Sequence, residues 1–217
     1  MFRFESIALL TLIPLLMLGV VPVSSEEDHR YSPGQFERPE RDEWQKVDEV
    51  IEAMDLKKGD AIADIGCGSG YFTRPFARAV GPHGVVYGCD IATNLLEYLQ
   101  DEAKNENLMN IVTVYAAMDR PMLPPKSVDT IFFCNTNHHL QDRVNYYRGL
   151  HDLLREGGQI VVVDWKNIEQ EVGPPPHHTM SKQRVLTEME EAGWQLVREE
   201  TLLDYQYFLF FEPADVQ

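Results

Sequence analysis

From residue 41 onward, short apolar runs alternate with longer stretches whose apolar residues recur at helical spacing. The runs at 61–65, 85–88, 111–116, 130–134 and 159–164 have strand length and little polar interruption, the pattern of strands buried on both faces. Between them, 72–80, 94–105 and 141–155 read as amphipathic helices. Before them, 41–56 carries Trp44, Val47, Ile51 and Met54 on one face and reads as one more helix. Gly157-Gly158 is expected to close the helix at 141–155. After Asp164 the grammar changes. A proline-rich loop, 171–178, leads to a helix at 181–193, opened by Ser181 as a cap. Runs at 194–202 and 205–211 follow, joined so closely that they must pair antiparallel. Alternating strands and helices predict a parallel sheet with helices on both faces, finished by one antiparallel strand.

The first strand ends in Gly66, Gly68 and Gly70 and runs at once into a helix. Glycine in such a turn can take positive φ and lets a ligand approach the backbone. The helix behind it offers unpaired N–H groups. A dinucleotide fingerprint would need a glycine at 71, which is Tyr71, so a nicotinamide-dependent oxidoreductase is disfavoured. What stands here is Asp64-x-Gly-x-Gly-x-Gly. Asp90 ends the second strand about twenty residues past the turn, where a carboxylate can accept from both hydroxyls of a ribose. Ile91 beside it is placed to pack on an adenine. In open α/β sheets ligands bind beyond the carboxyl ends of the strands. Asp64 to Gly70, Asp90, Asp119, Asn135 and Asp164 are therefore expected to share one crevice.

Composition narrows the function. The chain has 217 residues, 44% of them hydrophobic, enough for one core. Its formal charge of −16, from 19 basic against 35 acidic residues, argues against a nucleic-acid partner, which needs a clustered basic surface. Cys67, Cys89 and Cys134 are odd in number and widely spaced, so they read as buried thiols and not as a disulfide framework. The N-terminus differs from the rest. Arg3, an uncharged apolar run at 7–23, and Ser24-Ser25 before an acidic stretch have the layout of a secretory signal or membrane anchor over 1–25. Residues 26–40 read as a linker and 41–217 as the folded domain. The expected location is exported, periplasmic or extracellular, with membrane association if the segment is not cleaved.

The segments DIGCGSGYF, VVYGCDI, AMDRPMLPPKSVDTIFF, HHL and LLREGGQIVVVDW resemble the class I S-adenosylmethionine (SAM)-dependent methyltransferases, closest to the type 11, ubiquinone-biosynthesis-like branch. RDEWQ ahead of the domain and GPPPHH after the fifth strand are similar to a narrower group of bacterial predicted methyltransferases. The resemblance spans roughly 40–213. It implies a Rossmann-like α/β fold with a seven-stranded sheet in the order 3-2-1-4-5-7-6, SAM as cofactor and a small-molecule acceptor. It also implies that Asp64, Gly66, Gly68 and Gly70 hold the methionine end and ribose, and that Asp90 holds the ribose. Met118 and Asp119 would take the adenine, and the carbonyl of Asn135 the SAM amino group.

Methyl transfer from a sulfonium needs alignment, and a base only where the acceptor carries a proton of high pKa. His138 and His139, just past the fourth strand, are the candidate catalytic bases. His177 and His178 fall on the loop expected to cover the same end of the sheet. The two pairs are adjacent in sequence and lack the i, i+4 spacing of a helical metal site, so no metal is expected. Tyr31, Trp44 and Tyr205 are candidate pocket walls. Export away from the cytosolic supply of SAM leaves a second reading open, a SAM- or nucleoside-binding protein of the cell envelope without turnover.

Overall fold

The computed structural model describes residues 31–214; the expected signal segment lies outside the described residues. Seven strands form one sheet in the order β3-β2-β1-β4-β5-β7-β6. They are β1 (Ala61–Ile65), β2 (Val85–Asp90), β3 (Ile111–Tyr115), β4 (Val128–Cys134), β5 (Leu154–Trp165), β6 (Trp194–Glu200) and β7 (Gln206–Pro213). The pairs from β3 through β5 are parallel, and β7 runs antiparallel to both β5 and β6. This is the expected fold class and strand order.

The side-chain period of two sorts the central strands into two cores. Ala63, Ile65, Ile131, Phe133, Ile160, Val162, Leu209 and Phe211 face one side, where α5 (Arg143–Gly149) and α6 (Lys182–Glu191) add Tyr147, Val185 and Met189. Ile62, Phe132, Val161, Val163, Phe208 and Phe210 face the other, where α2 (Val47–Met54) and α3 (Thr73–Val80) add Val50, Met54, Phe76 and Val80. Helix α4 (Thr93–Asn105) lays Leu96 and Leu99 over β2 and the edge strand β3.

The structure differs from the sequence pattern in three places. The single helix expected at 41–56 is two, α1 (Glu40–Gln45) and α2, broken at Lys46, which takes a left-handed φ of 48°. Its ammonium donates to the Leu202 carbonyl at 2.8 Å, holding the break against the far end of the sheet. The helix at 141–155 ends early, in a 3-10 turn at Leu150–Asp152, because Leu154 already pairs with Val128. Gly157-Gly158 therefore lie inside β5 and do not cap a helix. Ser181 does cap α6, its hydroxyl accepting from the Arg184 N–H at 3.3 Å.

Candidate functional site

The glycine turn leaves β1 with Gly66, Gly68 and Gly70 all at positive φ, 69°, 56° and 86°. Their surroundings differ. A Cβ on Gly66 would sit 2.3 Å from both Cγ2 and Oγ1 of Thr136, and one on Gly70 would sit 2.2 Å from a Leu99 methyl. A Cβ on Gly68 would meet nothing nearer than the Phe36 ring at 3.8 Å. Gly66 and Gly70 thus make room for protein side chains, and Gly68, itself buried, has only the Phe36 ring at van der Waals distance.

Asp90, at the end of β2, turns its carboxylate back on this turn. It accepts from Gly68 N–H at 2.8 Å and Ala92 N–H at 2.9 Å. Asp64 is buried in β1 and accepts from the Thr73 hydroxyl at 2.6 Å, tying the strand to the first residue of α3. Burial pushes its carboxyl up to about 7, against the opposing pull of the Thr73 hydroxyl, and nearby Asp90 adds to the rise. Asp64 shapes the turn from beneath. Ile91 is half-buried beside Asp90, and Met118 is 49% exposed just past β3, whose last residue Tyr115 pairs with Asp90. Asp119 is exposed in the adjoining turn. These strand ends offer a carboxylate beside the glycine turn and two apolar side chains where a flat ring would lie. That donor and surface set fits a ribose and adenine.

The stretch read as a linker is docked on this turn. Tyr31 exchanges two hydrogen bonds with the Asn94 side chain, donating at 3.4 Å and accepting at 2.6 Å. Phe36 lies over Gly68, and Glu37 accepts from the Ser69 hydroxyl at 2.6 Å and from Arg74 Nη2 at 2.7 Å on each oxygen. Arg41 then donates to the Phe36 carbonyl at 3.0 Å and stacks 3.7 Å over the Tyr71 ring. An isolated Phe-Glu in a polar, proline-flanked stretch carries no pattern that announces this docking.

On the other side of the turn, β4 ends at Asn135, which takes a φ of 55°. Its side chain belongs to a buried ring of amides. Gln45 donates to Gln206 at 2.8 Å, Gln206 donates to the Asn135 side-chain oxygen at 2.6 Å, and Asn135 closes on Gln45 at 3.5 Å. Glutamines at the end of α1 and the start of β7 thereby fix the β4 terminus.

The turn after Asn135 carries the histidines. His138 Nδ1 lies 2.9 and 3.1 Å from the two oxygens of Asp164, which is fully buried at the end of β5. Asp164 also accepts from the backbone N–H of His138 at 3.2 Å and of Trp165 at 2.8 Å. Two backbone N–H groups orient this carboxylate, and it fixes the imidazole. With the Nδ1 proton directed at Asp164, Nε2 is the lone-pair nitrogen. The His139 ring packs against that of His138, tilted by 45° with the ring centres 4.1 Å apart. The His139 imidazole is held below its usual value, chiefly by desolvation and then by His138, with His178 adding to the fall.

Both histidines line a cavity of about 680 Å³ that His177 and His178 also face. The loop thus brings the second pair to the same rim. Trp165, Pro174 and Met180 give it apolar wall, and Arg143 and Arg184 stand at its edge. The walls expected from Tyr31, Trp44 and Tyr205 lie elsewhere. Trp44 packs against the Trp165 ring at 4.9 Å and so backs the cavity at one remove. Arg143 and Glu188 were not singled out by the sequence pattern, and their helical register alone gives no sign that they meet. Among the described residues no group of three or more His, Cys, Asp or Glu side chains converges as a metal site. The three cysteines are free and buried, and burial pushes the Cys134 thiol up to about 12.

A family model described as a methyltransferase domain matches residues 62–158. Aklanonic acid methyltransferase from a Streptomyces species is 34% identical over 51% of this chain and 50% of its own length. Demethylmenaquinone methyltransferase from Geobacillus stearothermophilus is 29% identical over 65% of this chain and 59% of its own. The chain therefore spans half to three-fifths of the length of these curated relatives. The crystal structure of a SAM-dependent methyltransferase from Aquifex aeolicus superimposes with a TM-score of 0.79 at 25% identity, covering 84% of this chain and 98% of that one.

Proposed function

Since the chain belongs to the class I SAM-dependent methyltransferases by its domain and its fold, we propose that it methylates a small-molecule acceptor that loses a proton in the reaction. The observation that carries this reading is the pairing of His138 with buried Asp164 on a cavity beside the glycine turn. Small-molecule acceptors are also what the names of the two curated relatives give for those proteins.

Asp90 would hold the ribose, Ile91 and Met118 the adenine, and the backbone of the glycine turn the methionine end. Bound SAM supplies a methyl carbon already made electrophilic by its sulfonium. The protein's part is alignment, exclusion of water and removal of a proton. His138 takes the acceptor's proton at Nε2, and Asp164 stabilises the imidazolium that forms. Asp164 also keeps the ring from rotating, as two backbone N–H donors keep the carboxylate itself fixed. His139, held below its usual pKa, stays neutral beside it and does not compete as a cation.

Calorimetry with SAM and S-adenosylhomocysteine (SAH), joined to an assay of SAH formation over an acceptor panel, tests the reading. Binding with turnover on at least one acceptor is expected. Tight binding with no turnover on any acceptor would favour the non-catalytic binder, and no binding of either nucleoside would end both.

The layout of 1–25 supports export, with cleavage after Ser25. Mass spectrometry of the native protein is expected to find a start near Glu26. Met1 retained in a soluble cytosolic fraction would sink that expectation.

A further inference from the structure

The cavity over His138 has an electrostatic character opposite to that of the chain. The sequence carries 35 acidic and 19 basic residues, yet among the described residues no aspartate or glutamate lines this cavity, while four of the seven histidines and two arginines do. Two carboxylates bonded to its lining residues are already engaged. Asp164 is fully buried beneath His138. Glu188 is 14% exposed and is held by Arg143 Nε at 2.5 Å, Arg143 Nη2 at 2.9 Å and Arg184 Nε at 2.9 Å. Two guanidinium groups therefore share one carboxylate, leaving a surplus positive charge at the wall. His139, His177 and His178 each add an N–H donor whichever tautomer they adopt, while that of His138 is taken by Asp164. Such a surface, in a chain that repels anions elsewhere, concentrates and orients an anion here.

We propose, resting on the methyltransferase reading, that the acceptor is a small organic acid: a ring bearing the proton-carrying group that is methylated and, apart from it, a carboxylate. The carboxylate sits toward Arg143, Arg184 and His178, and the ring lies on Trp165 and Met180. This puts the proton-bearing atom at His138 Nε2. The acceptor's proton passes to that nitrogen as its atom bonds the methyl carbon and the carbon–sulfur bond of SAM breaks, the electron pair staying on sulfur. The carboxylate is unchanged throughout. A volume of about 680 Å³ suits an acceptor of one to a few rings.

The test uses the full chain saturated with SAH and a panel of hydroxylated mono- and bicyclic aromatic acids, each paired with its primary amide. Binding is read by ligand-observed NMR and calorimetry. At least one acid is expected to bind about tenfold or more tightly than its amide, the scale of one charge-assisted contact. That preference should fall to about threefold or less in Arg184→Gln, an exposed residue whose loss leaves Glu188 still paired with Arg143. His178→Gln gives a second, equally exposed variant. If SAH binds but no acid is preferred over its amide, or if the preference is untouched in both variants, the acceptor assignment is wrong. If SAH itself fails to bind, the methyltransferase reading falls, and the assignment falls with it.

Discussion

Gly66→Ala should unfold the glycine turn from the protein side, and Gly68→Ala should empty it from the ligand side. At Gly66 two costs add. The backbone is at φ 69°, where an L side chain costs about 1–2 kcal/mol. The new methyl would lie 2.3 Å from Thr136 Cγ2 and Oγ1, an overlap worth about 1–3 kcal/mol if the neighbours yield. The sum, about 2–5 kcal/mol, lowers the melting temperature by roughly 4–20 °C for a domain of this size. At Gly68 only the first cost applies, because the nearest atom is 3.8 Å away. Thr136→Ala removes the two nearest atoms and with them the hydroxyl bonds to the Gly66 and Cys134 carbonyls at 3.3 and 3.1 Å. That change alone costs about 1 kcal/mol, and in Gly66→Ala it should restore about 1–2 kcal/mol. Urea unfolding followed by circular dichroism measures all four chains, and calorimetry measures their SAH affinity. Gly68→Ala should be the more stable single variant and the weaker SAH binder. Equal stability of the two glycine variants, or a double variant no better than Gly66→Ala, would refute the assignment of Gly66 to packing against Thr136.

Asp90→Ala should weaken SAH binding by about 1–3 kcal/mol, the range of a charge-assisted hydrogen bond, with unchanged affinity in calorimetry placing the ribose elsewhere. Asp64 gives a pH dependence. Its folded pKa of about 7 lies above its ordinary 3.8, so between these values the folded chain holds a proton that the unfolded chain releases. Stability therefore falls as pH rises from about 4 to about 7, by on the order of 2–4 kcal/mol from this group. Urea titrations across that window should show a shallower fall in Asp64→Asn, and parallel curves would exclude Asp64 as the source. Asp164→Asn should cut turnover by about a hundredfold or more, with SAH affinity intact, because His138 loses the charge that supports its imidazolium. Steady-state rates alongside calorimetry decide it. Glu37→Gln should speed SAH exchange in stopped-flow by loosening the segment from Ser69 and Arg74, and an unchanged exchange rate would show that the segment does not gate the turn.

The mostly parallel sheet with helices on both faces was legible because its central strands are short apolar runs and its helices carry their own stripes, whereas the strand order came from the resemblance to the methyltransferases. The break at Lys46 was not, since one left-handed residue leaves the apolar spacing of 41–56 almost intact. Gly157-Gly158 misled because paired glycines after a periodic stretch fit a helix end as well as an irregular strand start. In the site, Asp90, Asp164 and the histidines were placed by topology, which fixes where strands end. Their pairing was not legible. His138 and Asp164 are 26 residues apart, and only the parallel register of β4 and β5 brings them together. The amide ring and the Arg143–Glu188–Arg184 cluster are polar side chains whose partners lie on other elements, and spacing along one element cannot announce them.

The docking of Tyr31 to Glu37 on the glycine turn makes the start of the described chain and the cofactor turn one mechanical unit. Seven residues separate neither end from a contact: Tyr31 is tied to α4, Phe36 lies on Gly68 and Glu37 grips Ser69. Whatever is joined ahead of Tyr31, a leash to a surface or a fused partner, therefore pulls on the very backbone that would receive the cofactor.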